Sequence, residues 1–388
     1  MKTIFIASVV PLLALAASAQ TEYTGDGTPT VRSEEIRWHL NRARFNPTAE
    51  NTLRGTSYSG LSVRPPLAPN AILINAATYH AIDMAAAGLM THDTLTNSAY
   101  FNWSAHRATT DVADFYERAV DLGYAMNGGA ENVAYGYNTA LAMYLGWWNS
   151  EGHRTNYFQD RREIGIGAAL RSTTSYDSMT IANRNAVTGF FTDTIFRDAN
   201  SNGAYGSGEG ISGLRVELTN NSVAHTSYDI SSTVGSFAVP LTGINAGAVV
   251  QVFLRNTTAS PVITSIPANH STLNTVTVPA NGRWLLGTFN RVTNANAGFR
   301  NLTPATSQPA GLVVPQVSIT TASGRAVISF PSVTGHTYQV QWSSNLSAPW
   351  TNLGSLQTGN NNTISVTDTT TTIPATPRRF YKVIVTTP

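Results

Sequence analysis

The sequence predicts an α+β fold: a helix-rich N-terminal unit with strands late in it, followed by two all-β sandwiches. Up to about residue 187 the apolar residues recur at helical spacing. Beyond it, short alternating runs are separated by Gly, Asn, Pro and Thr. The chain has no cysteine, so each unit must be held by its own hydrophobic core or by bound ions rather than by disulfides.

Residues 1–19 read as an export signal, with Lys2 as the charged start, Ile4 to Ala16 as the apolar run and Ala17-Ser18-Ala19 as the cleavage site. A secreted, extracellular protein is therefore expected, with residues 20–32 leading into the first domain. No later stretch reaches about 18 uninterrupted apolar residues, so no transmembrane segment is expected. The formal charge is only +2, and Lys2 and Lys382 are the only lysines. No basic block stands out, which argues against nucleic acid or an anionic membrane as partner. The chain is expected to act as a monomer.

In the first domain, 33–196, Ser33 is a candidate N-cap, with Glu34 and Glu35 placed to complement the helix dipole. Ile36, Leu40 and Ala43 share a face until Asn46-Pro47. A second helix is expected from Asn70, apolar on more than one face, with His80 as a core histidine and Gly88 as its end. His92 then falls in the following turn. A third helix is expected from Asp111 to Gly123 and a fourth from Thr139 to Ser150, with Trp147 and Trp148 as core aromatics. Ile164–Leu170 and Val187–Phe196 read as the strands of this domain, giving a layered unit. Residues 197–290 read as a β-sandwich through the alternating runs at 214–218, 235–239 and 249–254. Residues 291–310 read as a linker. Residues 311–388 read as a last sandwich, with strands at 326–330, 338–342 and 380–385, and are similar to fibronectin type III-like domains.

Six pieces of the first domain occur together: Leu40-Asn41-Arg42-Ala43-Arg44, the helix leading to His92, Arg118 to Tyr124, Ala130-Glu131-Asn132-Val133-Ala134, Trp147 to Asn156, and Ile164-Gly165-Ile166-Gly167. In this order and spacing they resemble the bacterial branch of the CAP superfamily, the cysteine-rich secretory, antigen and pathogenesis-related domains. The resemblance implies an α-β-α sandwich with a central cleft of two histidines and two acids. Carried over residue by residue, these are His92, Glu131 and His153, with Ser150 where eukaryotic members have the second acid. Two imidazoles with a carboxylate can hold zinc or another divalent ion. The bland alternative is that His92 caps its helix, His153 bonds backbone in a turn and Glu131 satisfies nearby amides. Asn132 and Arg154 are read as structural, Arg154 pairing with Glu163 or Asp160.

A second motif, Asp198-Ala199-Asn200-Ser201-Asn202-Gly203-Ala204-Tyr205-Gly206-Ser207-Gly208-Glu209, meets the twelve-residue calcium-loop pattern at every defined position. Asp198, Asn200, Asn202, the Ala204 carbonyl and Glu209 would be the ligands, and Gly203 would permit the turn. Flanked by strands, it resembles the start of B-type repeats of bacterial surface proteins. With two carboxylates, calcium affinity is expected on the order of 10⁻⁴–10⁻³ M.

These features favour a secreted binding protein over an enzyme, its ligand being an extracellular lipid, peptide or glycan. The alternatives are a metal-dependent hydrolase using Glu131 as general base and a surface adhesin whose sandwiches carry the binding.

Overall fold

The computed structural model describes residues 20–21, 27–93, 114–220, 223–306, 317–332, 336–345, 349–360, 362–372 and 379–386. The expected export signal and the expected start of the third helix at Asp111 lie outside these residues. The chain divides into two units, residues 1–305 and 306–388.

The N-terminal part of the first unit is an α-β-α sandwich. Its sheet has the order β1 (Gln20–Thr21), β4 (Glu163–Arg171), β5 (Thr174–Arg184), β3 (Met126–Tyr135), with β2 (Ala68–Pro69) parallel to β4. One face packs against α1 (Val31–Phe45), α5 (Ala140–Asn149) and α6 (Glu151–Tyr157) through Ile36, Leu40, Tyr144, Trp147, Ile166 and Met179. The other carries α3 (Ala71–Ala87) and α4 (Phe115–Asp121). A short helix, α2 (Pro47–Arg54), follows α1 directly.

Local chemistry fixes the helix ends. The N-cap of α1 lies three residues before the one expected from sequence: Thr30 is the cap, and Ser33 completes a reciprocal capping box with it. Asn46 ends α1 and caps α2, with Pro47 at the first helical position. Asn70 caps α3, and Gly88 closes it in the left-handed region at φ 68°. Between α5 and α6 the helix breaks at Ser150, whose ψ of 123° is extended.

The glycines of β4 set the thickness of the sandwich. A Cβ on Gly165 would stand 2.0 Å from the carbonyl carbon of Leu73, and one on Gly167 2.2 Å from the amide nitrogen of Thr78. Helix α3 therefore lies with its backbone against the sheet, and only glycine allows it. Ile164 and Ile166 alternate with them and fill the opposite face.

The rest of the first unit is β-rich. A sheet of order β14 (Thr303–Pro304), β13 (Arg283–Asn290), β10 (Val249–Arg255), β7 (Arg215–Asn220), β8 (Val223–Ile230) shares one core with the hairpin β11 (Val262–Pro267)–β12 (Leu273–Val278) and the pair β6 (Phe190–Thr194)–β9 (Ser236–Pro240). The segment expected as the last strand of the first domain joins this part instead. It pairs with β9 from Phe190↔Pro240 to Thr194↔Ser236, because Phe191 and Ile195 are buried with Val216, Val252 and Phe289. The span expected as a linker is also packed through Ala305. Ala297 and Phe299 enter the same core, and the Asn296 side chain donates to the carbonyls of Pro66 and Arg162, both at 2.7 Å.

Charged groups join the two parts of this unit. His270 Nε2 lies 2.8 Å from Glu50 Oε2, and Glu50 also receives Arg42, Arg54 and Tyr144. Burial alone would raise the Glu50 pKa, but the His270 bond and the two guanidiniums hold it far below the carboxylate range. Residues 306–388 form two three-stranded antiparallel sheets, β15 (Ser318–Ala322)–β16 (Arg325–Pro331)–β19 (Thr363–Thr367) and β18 (Thr351–Thr358)–β17 (Thr337–Ser343)–β20 (Phe380–Thr386). Ile328, Phe330, Tyr338, Val340 and Leu353 form their core.

The helix-on-sheet contact gives a direct test. Gly167→Ala should cost about 1–3 kcal/mol or more by overpacking. Gly152→Ala, on the open face of α6 where nothing lies within 4 Å of the new Cβ, should be neutral or stabilise by up to about 1 kcal/mol. Urea unfolding of both variants measures the contrast.

Candidate functional site

Glu131 lies on β3, the edge strand of the sandwich. The two-residue period of the strand turns Ala130 and Ala134 toward the α5 layer and Val133 toward α3. Asn132 follows the first set and Glu131 the second. Although the strand is at the edge, the Glu131 side chain is only 2 % exposed.

A buried carboxylate needs partners for both oxygens, and Glu131 has them. Its Oε1 receives Arg118 Nη2 from α4 and Ser178 Oγ from β5, and its Oε2 receives His92 Nδ1 at 2.9 Å. Because the carboxylate can only accept, Nδ1 of His92 carries the proton and Nε2 points away from Glu131. Arg118 is 1 % exposed and donates from Nη1 to the His92 carbonyl at 2.9 Å, so one guanidinium fixes both the acid and the turn. His80, fully buried in α3, donates from Nε2 to the carbonyl of Thr91 at 2.7 Å. The core histidine expected from sequence thus holds the turn that presents His92.

On the other side of the edge strand, the Asn132 amide donates to the His153 carbonyl at 3.1 Å, and Asn156 donates to Asn132 Oδ1 at 2.8 Å and to the Glu131 carbonyl at 3.1 Å. These bonds clamp α6, which carries His153, to β3. The two imidazoles are close enough for the His92 charge to bear on His153. Among the described residues, His153 Nδ1 is buried without a hydrogen-bond partner. Ser150, at the break between α5 and α6, makes no side-chain capping bond, and no hydrogen bond couples it to His153 among the described residues.

The electrostatics follow from these contacts. The Glu131 bond raises the His92 pKa against a smaller effect of burial. Burial would raise Glu131, but Arg118 and the His92 bond outweigh it and hold the carboxyl below its ordinary value. His153 is lowered by burial and then by His92. His80 is pushed down to about 4 by burial and by Arg118, and stays neutral. Among the described residues, no three His, Cys, Asp or Glu side chains gather closely enough to hold a metal ion.

Residues 39–189 match the family model of CAP, the cysteine-rich secretory protein family. This span is a CAP domain. Among solved structures, an extracellular protein containing an SCP domain from Bacillus anthracis str. Ames is similar at 18 % identity, over 37 % of this chain and 40 % of that one, with a TM-score of 0.26. The chain thus spans well under two thirds of that protein. No curated protein matches.

The CAP domain brings His92 and Glu131 into direct contact and leaves His153 within electrostatic reach of His92. It also uses groups that the sequence reading did not assign to the site: Arg118 and Ser178 on the carboxylate, and Asn156 on the clamp. Arg118 could have been found from the rule that a buried acid needs a cation, since α4 precedes β3. One expectation needs correction. Arg154 does not pair with Glu163 or Asp160. It donates to the Trp148 carbonyl at 2.7 Å and stacks over the Tyr58 ring at 3.5 Å, while Glu163 is taken by Tyr124, Arg184 and Asn70.

The loop at 198–209 is internally ordered. Asp198 accepts the amides of Asn202 and Gly203, Asn200 that of Asn202, and Asn202 that of Ala204. Glu209 accepts the amides of Ala199 and Gly206. Tyr205, 1 % exposed, stands edge-on to Phe196, which is itself edge-on to Trp38 of α1. The loop is thereby anchored on the CAP domain.

The buried pair predicts a specific stability pattern. Arg118→Met leaves Glu131 ionised without its cation and should cost about 3–5 kcal/mol, and adding Glu131→Gln should recover most of the loss. Because the Glu131 pKa is lowered, its contribution holds above the ordinary value of 4.5 and is lost as pH falls through the folded value. The His92 pKa is raised, so its contribution is complete below 6.5 and fades as pH rises through the folded value. Denaturation midpoints against pH for wild type and Glu131→Gln should show both slopes in the first and neither in the second.

Proposed function

We propose that the protein is a secreted, non-enzymatic binding protein whose CAP cleft takes an extracellular ligand at His92 and His153. The engagement of Glu131 supports this most strongly. A general base must reach the proton it removes, and the Glu131 side chain is only 2 % exposed, with both oxygens already accepting from Arg118, Ser178 and His92. The carboxyl is also held below its ordinary pKa, which weakens it further as a base. What faces outward is the His92 ring, with 59 % of its side chain exposed. Held by its Nδ1 bond, it presents Nε2 as an acceptor when neutral and a donor when charged. Zinc or another divalent ion at His92 and His153 would bind Nε2 of His92, keep its Nδ1 bond to Glu131 and require the two rings to close on one point.

Ring resonances of His92 and His153 followed by NMR on adding palmitate, a casein peptide digest or chito-oligosaccharides test the reading. One probe class should shift both rings, lose that effect in His92→Ala and emerge chemically unchanged. Cleavage of a probe that disappears in Glu131→Gln at unchanged melting temperature would overturn it in favour of a hydrolase.

The loop from Asp198 to Glu209 is proposed as a calcium site. Its donor set is all oxygen, which suits a hard cation. Among the described residues neither Asp198 nor Glu209 forms an ion pair with Lys or Arg, so their mutual repulsion is relieved by loop amides alone. With Tyr205 seated near Trp38, an ion there would stiffen the junction of the CAP domain with the β-rich part. Calcium at millimolar concentration should raise the melting temperature of wild type and leave Glu209→Gln unchanged. Equal responses would refute the assignment.

A further inference from the structure

Three arginines stand side by side across the β-rich part of the first unit. In the registers of β7, β10 and β13, Arg215 pairs with Arg255 and Arg255 with Arg283, so the three occupy one row across adjacent strands. Val216, Leu218, Val252 and Leu254 fill the core face, so this row lies on the outer face. Like charges directly opposite one another destabilise a sheet, and strands lie only about 4.8 Å apart.

One carboxylate holds the row. Glu217, with 4 % of its side chain exposed, meets Arg215 at 2.9 Å and Arg255 at 3.3 Å through Oε1, and Arg283 at 2.6 Å through Oε2. Satisfying one buried acid needs one guanidinium, and three leave an excess of two positive charges. Burial lowers the Arg283 pKa, and Arg255 and Arg215 add to that against the pull of Glu217. The guanidiniums are also oriented: Arg215 lies 3.6 Å over the Tyr228 ring and Arg283 3.7 Å over Phe253. Arg215 and Arg255 keep 30 % and 32 % of their side chains exposed, and Tyr228 is 49 % exposed beside them.

We propose that this face binds an acidic polysaccharide, whose carboxylate or sulfate groups meet the N–H edges left over from Glu217. Charge complementarity selects the anion. The exposed Tyr228 ring beside the row, a flat face on which a sugar can stack, selects the sugar chain. Arg215 and Arg283 are drawn over Tyr228 and Phe253 of the same sheet, which suits a thin polymer laid across the strands better than a membrane. The inference is independent of the cleft at His92, which lies on the CAP domain.

Calorimetric titration of the full chain with polygalacturonate and dextran sulfate, against neutral dextran, tests it. Wild type should bind one or both charged polymers, more weakly as salt rises, and leave dextran unbound. Arg255→Gln, which removes the longest of the three contacts to Glu217, should weaken binding about tenfold. Glu217→Gln, which increases the positive excess, should tighten it. Melting temperatures show that each variant is folded. Absence of binding to both polymers, equal binding of dextran, or affinities unchanged in both variants would overturn the proposal. So would tighter binding of an oligodeoxynucleotide or of phosphatidylglycerol vesicles, since the anion's carrier would then be of another class.

Discussion

A carboxylate buried in the edge strand of a sheet organises the CAP domain. Glu131 cannot stay ionised there without a cation and further donors, and each partner it recruits comes from a different element. Arg118 ties in α4, Ser178 ties in the neighbouring strand, and His92 ties in the turn after α3. Through Asn132 and Asn156 the same strand holds α6 and with it His153. The Glu131 carboxylate is thus the place where α4, β5 and the turn after α3 meet on one edge strand.

This view separates presence from role. A glutamate between histidines invites a catalytic reading; on the function proposed above it is instead a positioning residue. It fixes the His92 tautomer, turns Nε2 outward and raises the affinity of that ring for a proton. The exposed group of the pair is the imidazole.

Much of the architecture was legible in the chain. Asn70 and Gly88 bracket α3 because their side-chain chemistry works locally, and the alternation of Ile164, Gly165, Ile166 and Gly167 encodes a strand under a closely packed helix. The three site residues could be named only as a set, through their resemblance to a family. Features that depend on partners distant in sequence were hidden. Phe191 and Ile195 alternate as in any strand, and nothing local says that their sheet lies with β9 rather than with β5. Residues 294–305 lack periodicity, yet Asn296 and Phe299 are buried because the surrounding loops receive them. Ser33 is a good cap by composition, but Thr30 offers the same chemistry one turn earlier, with Ser33 as its reciprocal partner. Arg215, Arg255 and Arg283 form no basic run in the sequence, and only strand register lines them up.

The account rests on the bond between His92 and Glu131, and an NMR titration of the His92 ring probes it most directly. Wild type should titrate above 6.5, with Nδ1 protonated in the neutral form, and Glu131→Gln should bring the value down while leaving His153 folded in place. A His92 ring that titrates alike in both proteins, or that carries its neutral-state proton on Nε2, would contradict the account.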